Sequence, residues 1–129
     1  MYWAIILSPL QQLALQEFVK KLMPIPKGWN IYCEHITLAH KASLPDKEWL
    51  NIHRILTNFA GTKVTFKITG IAKNDNVIAV RVSAGTTNKH SHITIAVREG
   101  HKPVESNELE DWQEIWSNTF EGIVTFRPK

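Results

Sequence analysis

The sequence predicts an α+β domain. Three observations lead there. Short runs rich in Val, Ile and Thr alternate with stretches of helical periodicity, in the order strand, helix, strand, helix, two strands, strand, helix, strand. The chain has 129 residues, enough for one well-buried core and too few for two ordinary domains. One tetrapeptide pattern, His-apolar-Thr-apolar, is written twice, as His35-Ile-Thr37-Leu38 and as His92-Ile-Thr94-Ile95, once in each half.

Tyr2 to Leu7 reads as the first strand. Ser8-Pro9-Leu10-Gln11 then signals a helix start, with a capping Ser, Pro in the first turn and Gln in the capping-box position. Leu15, Phe18, Val19 and Leu22 follow at helical spacing, and Pro24 and Pro26 stop the helix near Met23. Ile31 to Ala39 is the first motif strand. A second helix is expected between about Pro45 and Phe59, where Trp49, Ile52, Leu56 and Phe59 form one apolar stripe and His53 and Arg54 fall to the polar side.

Lys63 to Ala72 and Val77 to Ser83 read as a hairpin turning through Asn74-Asp75-Asn76. Residues 84–88 are a loop, His90 to Val97 is the second motif strand, and a polar loop runs from Arg98 to about Glu105. Ser106 is expected to cap a short helix with Leu109, Trp112, Ile115 and Trp116 on its apolar face. Phe120 to Phe126 closes the chain as a strand, and the whole is one domain, residues 1–129.

Composition narrows the class. Apolar residues make up 43% and charged residues 21%, with no tract long enough to cross a bilayer. The apolar start, Met1 to Leu7, lacks a basic leader and a cleavage signal, so it is not read as a signal peptide and a cytoplasmic location is expected; a monomer is expected as well. The net charge of +3 suits a polyanionic ligand, but no run of five or six like charges marks a nucleic-acid tail. Cys33 is the single cysteine, which excludes an internal disulfide. On a continuous strand it would share a face with His35, as a packed small hydrophobe rather than a reactive thiol.

Chance gives on the order of 0.1 matches to the repeated tetrapeptide in such a composition. A strand turns alternate side chains to opposite faces, so His35 and Thr37 share one face, backed by Ile36 and Leu38, and likewise His92 and Thr94 against Ile93 and Ile95. Two imidazoles and two hydroxyls brought together suit phosphodiester cleavage. One neutral histidine takes a proton from the attacking oxygen, the other, protonated, gives one to the leaving oxygen. The hydroxyls donate to the non-bridging oxygens, and no metal or cofactor is needed.

These phrases resemble the signature of the 2H phosphoesterase superfamily. The resemblance extends through His40-Lys41, Lys102-Pro103-Val104-Glu105-Ser106-Asn107-Glu108-Leu109 and Gly122-Ile123-Val124-Thr125-Phe126 to the cyclic phosphodiesterase domain of plant-type tRNA ligases, from about Ile31 to the end. It implies a two-lobed fold with antiparallel sheets around a central cleft and helices outside. It further implies an RNA-repair hydrolase that opens a 2′,3′-cyclic phosphate to a 2′-phosphate. Carried over, His35, Thr37, His92 and Thr94 are the catalytic residues, with His92 activating water and His35 serving the leaving oxygen. Free-standing members of the superfamily cut 2′,5′-oligoadenylates or cyclic dinucleotides, so those substrates stand as alternatives, as does a non-catalytic RNA-end-binding module.

Lesser candidates complete the reading. Lys41 follows the first motif and could meet a phosphate; Tyr2 or Trp3, alternating on the first strand, could stack on a base. His90 points to the same face as His92, but no third ligand stands at convincing spacing for a metal. His40, His53 and His101 read as surface residues, Ser106 and Asn107 as helix capping, and most of the five Trp as core.

Overall fold

The computed structural model describes residues 1–85 and 91–128. Its strands are β1 (Tyr2–Ile6), β2 (Asn30–Ile31), β3 (His35–His40), β4 (Lys63–Lys73), β5 (Val77–Val82), β6 (His92–Val97), β7 (Gln113–Glu114) and β8 (Thr119–Arg127). Two α-helices, α1 (Pro9–Leu22) and α2 (Asp46–Thr57), and two 3₁₀ segments, Lys41–Ser43 and Pro103–Glu108, complete the elements among the described residues. The architecture is α+β, as the sequence predicts.

Every strand pairing among the described residues is antiparallel, and the pairings close on themselves in the order β3, β1, β8, β4, β5, β6 and back to β3. The β3–β6 contact is the narrowest, a single pair between Ile36 and Ile93. β2 extends the edge of β6 and β7 that of β4. Ile5, Leu7, Ile36, Ile68, Ile78, Val80, Ile93 and Ile95 meet in one core that Leu15 and Val19 of α1 and Trp49 of α2 cover. Removing this apolar surface from water is the main force holding the sheet and helices together.

Local signals set several boundaries. Ser8 caps α1, its Oγ accepting from Gln11 N at 3.2 Å. The Gln11 side chain does not complete a capping box; its Oε1 accepts from Glu121 N at 2.9 Å and so ties α1 to β8. In the β4–β5 turn Asn74 Oδ1 accepts from Asn76 N and Val77 N, an Asx turn that adds to the backbone bond from Asn74 N to Val77 O at 3.0 Å.

Two expected elements differ. The strand from Ile31 to Ala39 is broken at Tyr32–Glu34, where Cys33 takes a left-handed φ of 56°. The chain runs along β6 as far as Cys33, whose N donates to Thr94 O at 3.0 Å, and then changes partner, Glu34 O accepting from Leu7 N at the end of β1. From Ile31 to Ile36 is five steps and from their partners Ala96 to Ile93 three, so two residues are looped out, and at the left-handed Cys33 the alternation of a strand does not hold. Cys33 therefore does not share the face of His35: it is buried in the core, and burial, with Glu34 adding, pushes its thiol up to about 12.

The expected helix after Ser106 is absent. Pro103 instead opens a 3₁₀ segment, with the Glu105 carboxylate accepting from Lys102 N at 2.9 Å, and Asp111 turns left-handed at φ 55°. Trp112 and Ile115 are half-buried, and Trp116, placed on the apolar face of that helix by its spacing, is exposed. A left-handed residue five positions after Ser106 ends any helical run that begins there.

Candidate functional site

Ile36 and Ile93 are the second residues of the two motifs, and their pairing fixes how the motifs face each other. Antiparallel pairing through them sets His35 toward Thr94 and Thr37 toward His92. Both isoleucines are wholly buried. The four polar side chains lie on the opposite face, where His35, Thr37, His92 and Thr94 line one cavity of about 310 Å³.

A matching irregularity follows each motif. On β3, Trp3 pairs with Ala39 and Ala4 with Thr37, which leaves Leu38 as an extra residue. On β6, Ile78 pairs with Ala96 and Ala79 with Thr94, which leaves Ile95 extra. These are β-bulges at the fourth position of both motifs, and each shifts alternation by one residue. Without its bulge, β3 would turn His40 to the face of Ile36; with it, His40 joins His35 and Thr37 in the cavity wall.

The walls beyond the motifs are Tyr32, Glu34, Ser43, Pro103, Val104 and Asn107. Asn107 Oδ1 is buried with no hydrogen-bond partner among the described residues. Behind the wall, Thr94 Oγ1 lies 2.8 Å from Ser106 Oγ and 3.4 Å from Pro103 O. Burial holds the His35 imidazole below the usual histidine range; Glu34 opposes this, and Arg127 and His92 add to it. His35 and His92 thus interact electrostatically across the cavity.

The remaining candidates fall as follows. Neither Lys41 nor Tyr2 lines the cavity. Lys41 is exposed in the 3₁₀ turn, whereas Tyr2, paired with His40 across β1–β3, stacks parallel on the His40 ring at 5.6 Å and lies 5.8 Å from His35. Trp3 is the buried member of the Tyr2–Trp3 pair.

The three histidines expected at the surface are all half-buried. His40 Nδ1 accepts from Ala42 N at 3.2 Å. His53 accepts from Trp3 Nε1 at 3.0 Å and stacks on Trp49 at 5.5 Å, because α2 turns it onto β1 rather than to solvent. His101 meets the Glu105 carboxylate at 3.1 Å. His90 lies outside the described residues. Among the described residues no three His, Cys, Asp or Glu side chains group to hold a metal, and no helix is long and apolar enough to cross a membrane.

Sequence reasoning missed His40, because a bulge carries no local signature, and treated Ser106 and Asn107 as capping residues. The available signal for these two was their place in the stretch Lys102 to Leu109 that carries the family resemblance.

Two facing His-Thr pairs in a walled cavity can exchange protons with, and donate hydrogen bonds to, one tetrahedral anion held between them. A comparison with protein-family models matches residues 25–126 to the one described as the fungal tRNA ligase phosphodiesterase domain. No curated protein and no solved structure matches the chain. The matched region leaves out β1 and α1, although β1 is the strand on which β3 is paired.

Proposed function

Since the chain belongs to the family of the fungal tRNA ligase phosphodiesterase domain, we propose that it is a metal-independent phosphodiesterase that opens 2′,3′-cyclic phosphate ends of RNA or nucleotides to 2′-phosphates. The observation that carries this reading is the lining of one cavity by both motifs, His35 with Thr37 and His92 with Thr94. A two-lobed 2H phosphoesterase arrangement agrees with it, β3 and β6 being joined only through Ile36 and Ile93.

In this reading the phosphate sits between the motifs. The Thr37 and Thr94 hydroxyls donate to its non-bridging oxygens, where charge builds up in the transition state. His92 takes a proton from water as it attacks phosphorus, and His35 protonates the O3′ that leaves, so a 2′-phosphate remains. A five-membered cyclic ester already holds phosphorus and leaving oxygen together, so the protein supplies proton transfer and charge stabilisation.

His35 in the free protein favours its neutral form. An anionic phosphodiester beside it acts the other way, so the donor role entails proton uptake as substrate binds. A cavity of about 310 Å³ suits one terminal nucleotide, standing near the lower end of the ~300–1,000 Å³ of small-molecule sites.

Product analysis in EDTA tests the reading. The substrates are 2′,3′-cyclic mononucleotides, an RNA ending in a cyclic phosphate, 2′,5′-oligoadenylate and cyclic dinucleotides, beside the His35→Ala/His92→Ala double variant. A 2′-phosphate product that requires both histidines is the expected result. Preferred cleavage of the oligoadenylate or a dinucleotide would move the role from RNA ends to nucleotide signals. Binding without turnover on every substrate would replace the enzyme with an RNA-end-binding module.

A further inference from the structure

We propose that Ser106 is a positioning residue that commits the single hydroxyl proton of Thr94 to the bound phosphate. The inference rests on the phosphodiesterase reading of the cavity and adds a residue that reading does not use. Ser106 is the only serine, threonine, amide or charged residue that is wholly buried among the described residues. It does not line the cavity; its Oγ stands 2.8 Å from Thr94 Oγ1, the only partner of that hydroxyl among the described residues.

Proton counting decides the direction of this bond. A hydroxyl has one proton to give and can accept two. If Thr94 donated to Ser106, the Ser106 proton would be buried without an acceptor, a state that folded proteins avoid. Donation from Ser106 to Thr94 leaves no such orphan. The Thr94 proton then has Pro103 O as its resting acceptor, at 3.4 Å, well beyond the distance of a good O–H···O bond. A phosphate oxygen in the cavity replaces that weak contact at little cost. Accepting a hydrogen bond from Ser106 also makes Thr94 a better donor, since chained hydrogen bonds polarise one another.

The 3₁₀ segment explains why Ser106 is where it is. Pro103 opens the turn and Glu105 accepts from Lys102 N, so the fourth residue of the segment falls beneath β6, against which the segment packs. Thr37, the counterpart of Thr94 in the first motif, has no hydrogen bond to another side chain among the described residues. The two phosphate-facing hydroxyls are therefore unequal, and only that of Thr94 is oriented from behind.

The test is a double-mutant cycle on the whole chain: wild type, Ser106→Ala, Thr94→Val and the pair, each checked by thermal melting. Ser106→Ala is expected to lower kcat/KM on a 2′,3′-cyclic nucleotide by on the order of tenfold, the worth of one hydrogen bond. In the Thr94→Val background the same substitution should have no further effect, whereas in Thr94→Ser the loss should persist. An equal loss in all backgrounds, or no loss, overturns the proposal. Ser106→Cys keeps the volume with a weaker donor and should fall between wild type and Ser106→Ala; if Ser106→Ala does not fold, this variant carries the cycle.

Binding of inorganic phosphate to the same proteins separates the two readings. Should wild type turn over no cyclic phosphate, the phosphodiesterase reading fails by itself. Coupling between positions 106 and 94 in phosphate affinity would still uphold the Ser106 assignment, and its absence would refute it.

Discussion

Ile36 and Ile93 form the one paired position between β3 and β6. Each follows the histidine of its motif, so this pair is the pivot about which the two halves face each other, and both side chains are wholly buried. The apolar residues inside each motif thus bring the polar ones together on the outside.

Loss of either imidazole should disable the chemistry without unfolding the protein. His35→Ala or His92→Ala is expected to lower kcat about 10²- to 10⁴-fold, the range for a general acid or base, with an unchanged melting temperature. Near-full activity in both variants would remove the histidines from the mechanism.

The pH dependence of anion binding follows from the depressed pKa of His35. An anion beside it raises that pKa, so the complex holds more protons than the free protein and affinity rises as pH falls through the histidine range. Sulfate, whose charge is constant there, is a suitable probe, followed by chemical-shift titration; His35→Asn should flatten the dependence. The same depression lets the unfolded chain take the proton first, so stability falls as pH drops past the ordinary histidine value. His35→Asn should remove that part of the loss.

His53 offers a stability effect apart from the site. His53→Ala leaves the Trp3 Nε1–H, on a side chain only 2% exposed, without its acceptor. The expected cost is about 1–3 kcal/mol in denaturant unfolding, with kcat unchanged. An equally stable variant would show that the indole finds another partner.

Gly122 is required by space. A Cβ there would stand 2.5 Å from Ile5 Cγ2 and 2.8 Å from Ile6 O, and the backbone oxygen has no rotamer to move to. Gly122→Ala should cost about 1–3 kcal/mol by overpacking β8 against β1, read as a lowered unfolding midpoint. An unchanged midpoint would mean that the strands shift apart freely.

How much of this was legible before the structure depends on how local each signal is. The Ser8 cap, the Asn74 turn and the first residues of β4 and β5 follow from local signals and stand as expected, the far ends of the two strands each differing by one residue. Trp116 misled because spacing alone made it part of a helical stripe, whereas a helix also needs a backbone that stays right-handed through Asp111. His53 misled because it lies beside Trp49 on the side of α2 turned to Trp3, whereas its neighbour Arg54 is exposed.

By itself the sequence determined that each motif would set a histidine and a threonine on one face of a strand, with apolar residues behind them. That follows from the period-two alternation of a strand, which needs no knowledge of neighbours. Only the tertiary structure decided that the two strands would pair at Ile36 and Ile93, that bulges at Leu38 and Ile95 would reset the alternation, and that Ser106 would be buried behind Thr94. The reason is that strand partners, extra residues in a ladder and burial are settled between segments distant in the chain. Their energies come from pairing and packing across the sheet, which no local stretch of residues encodes.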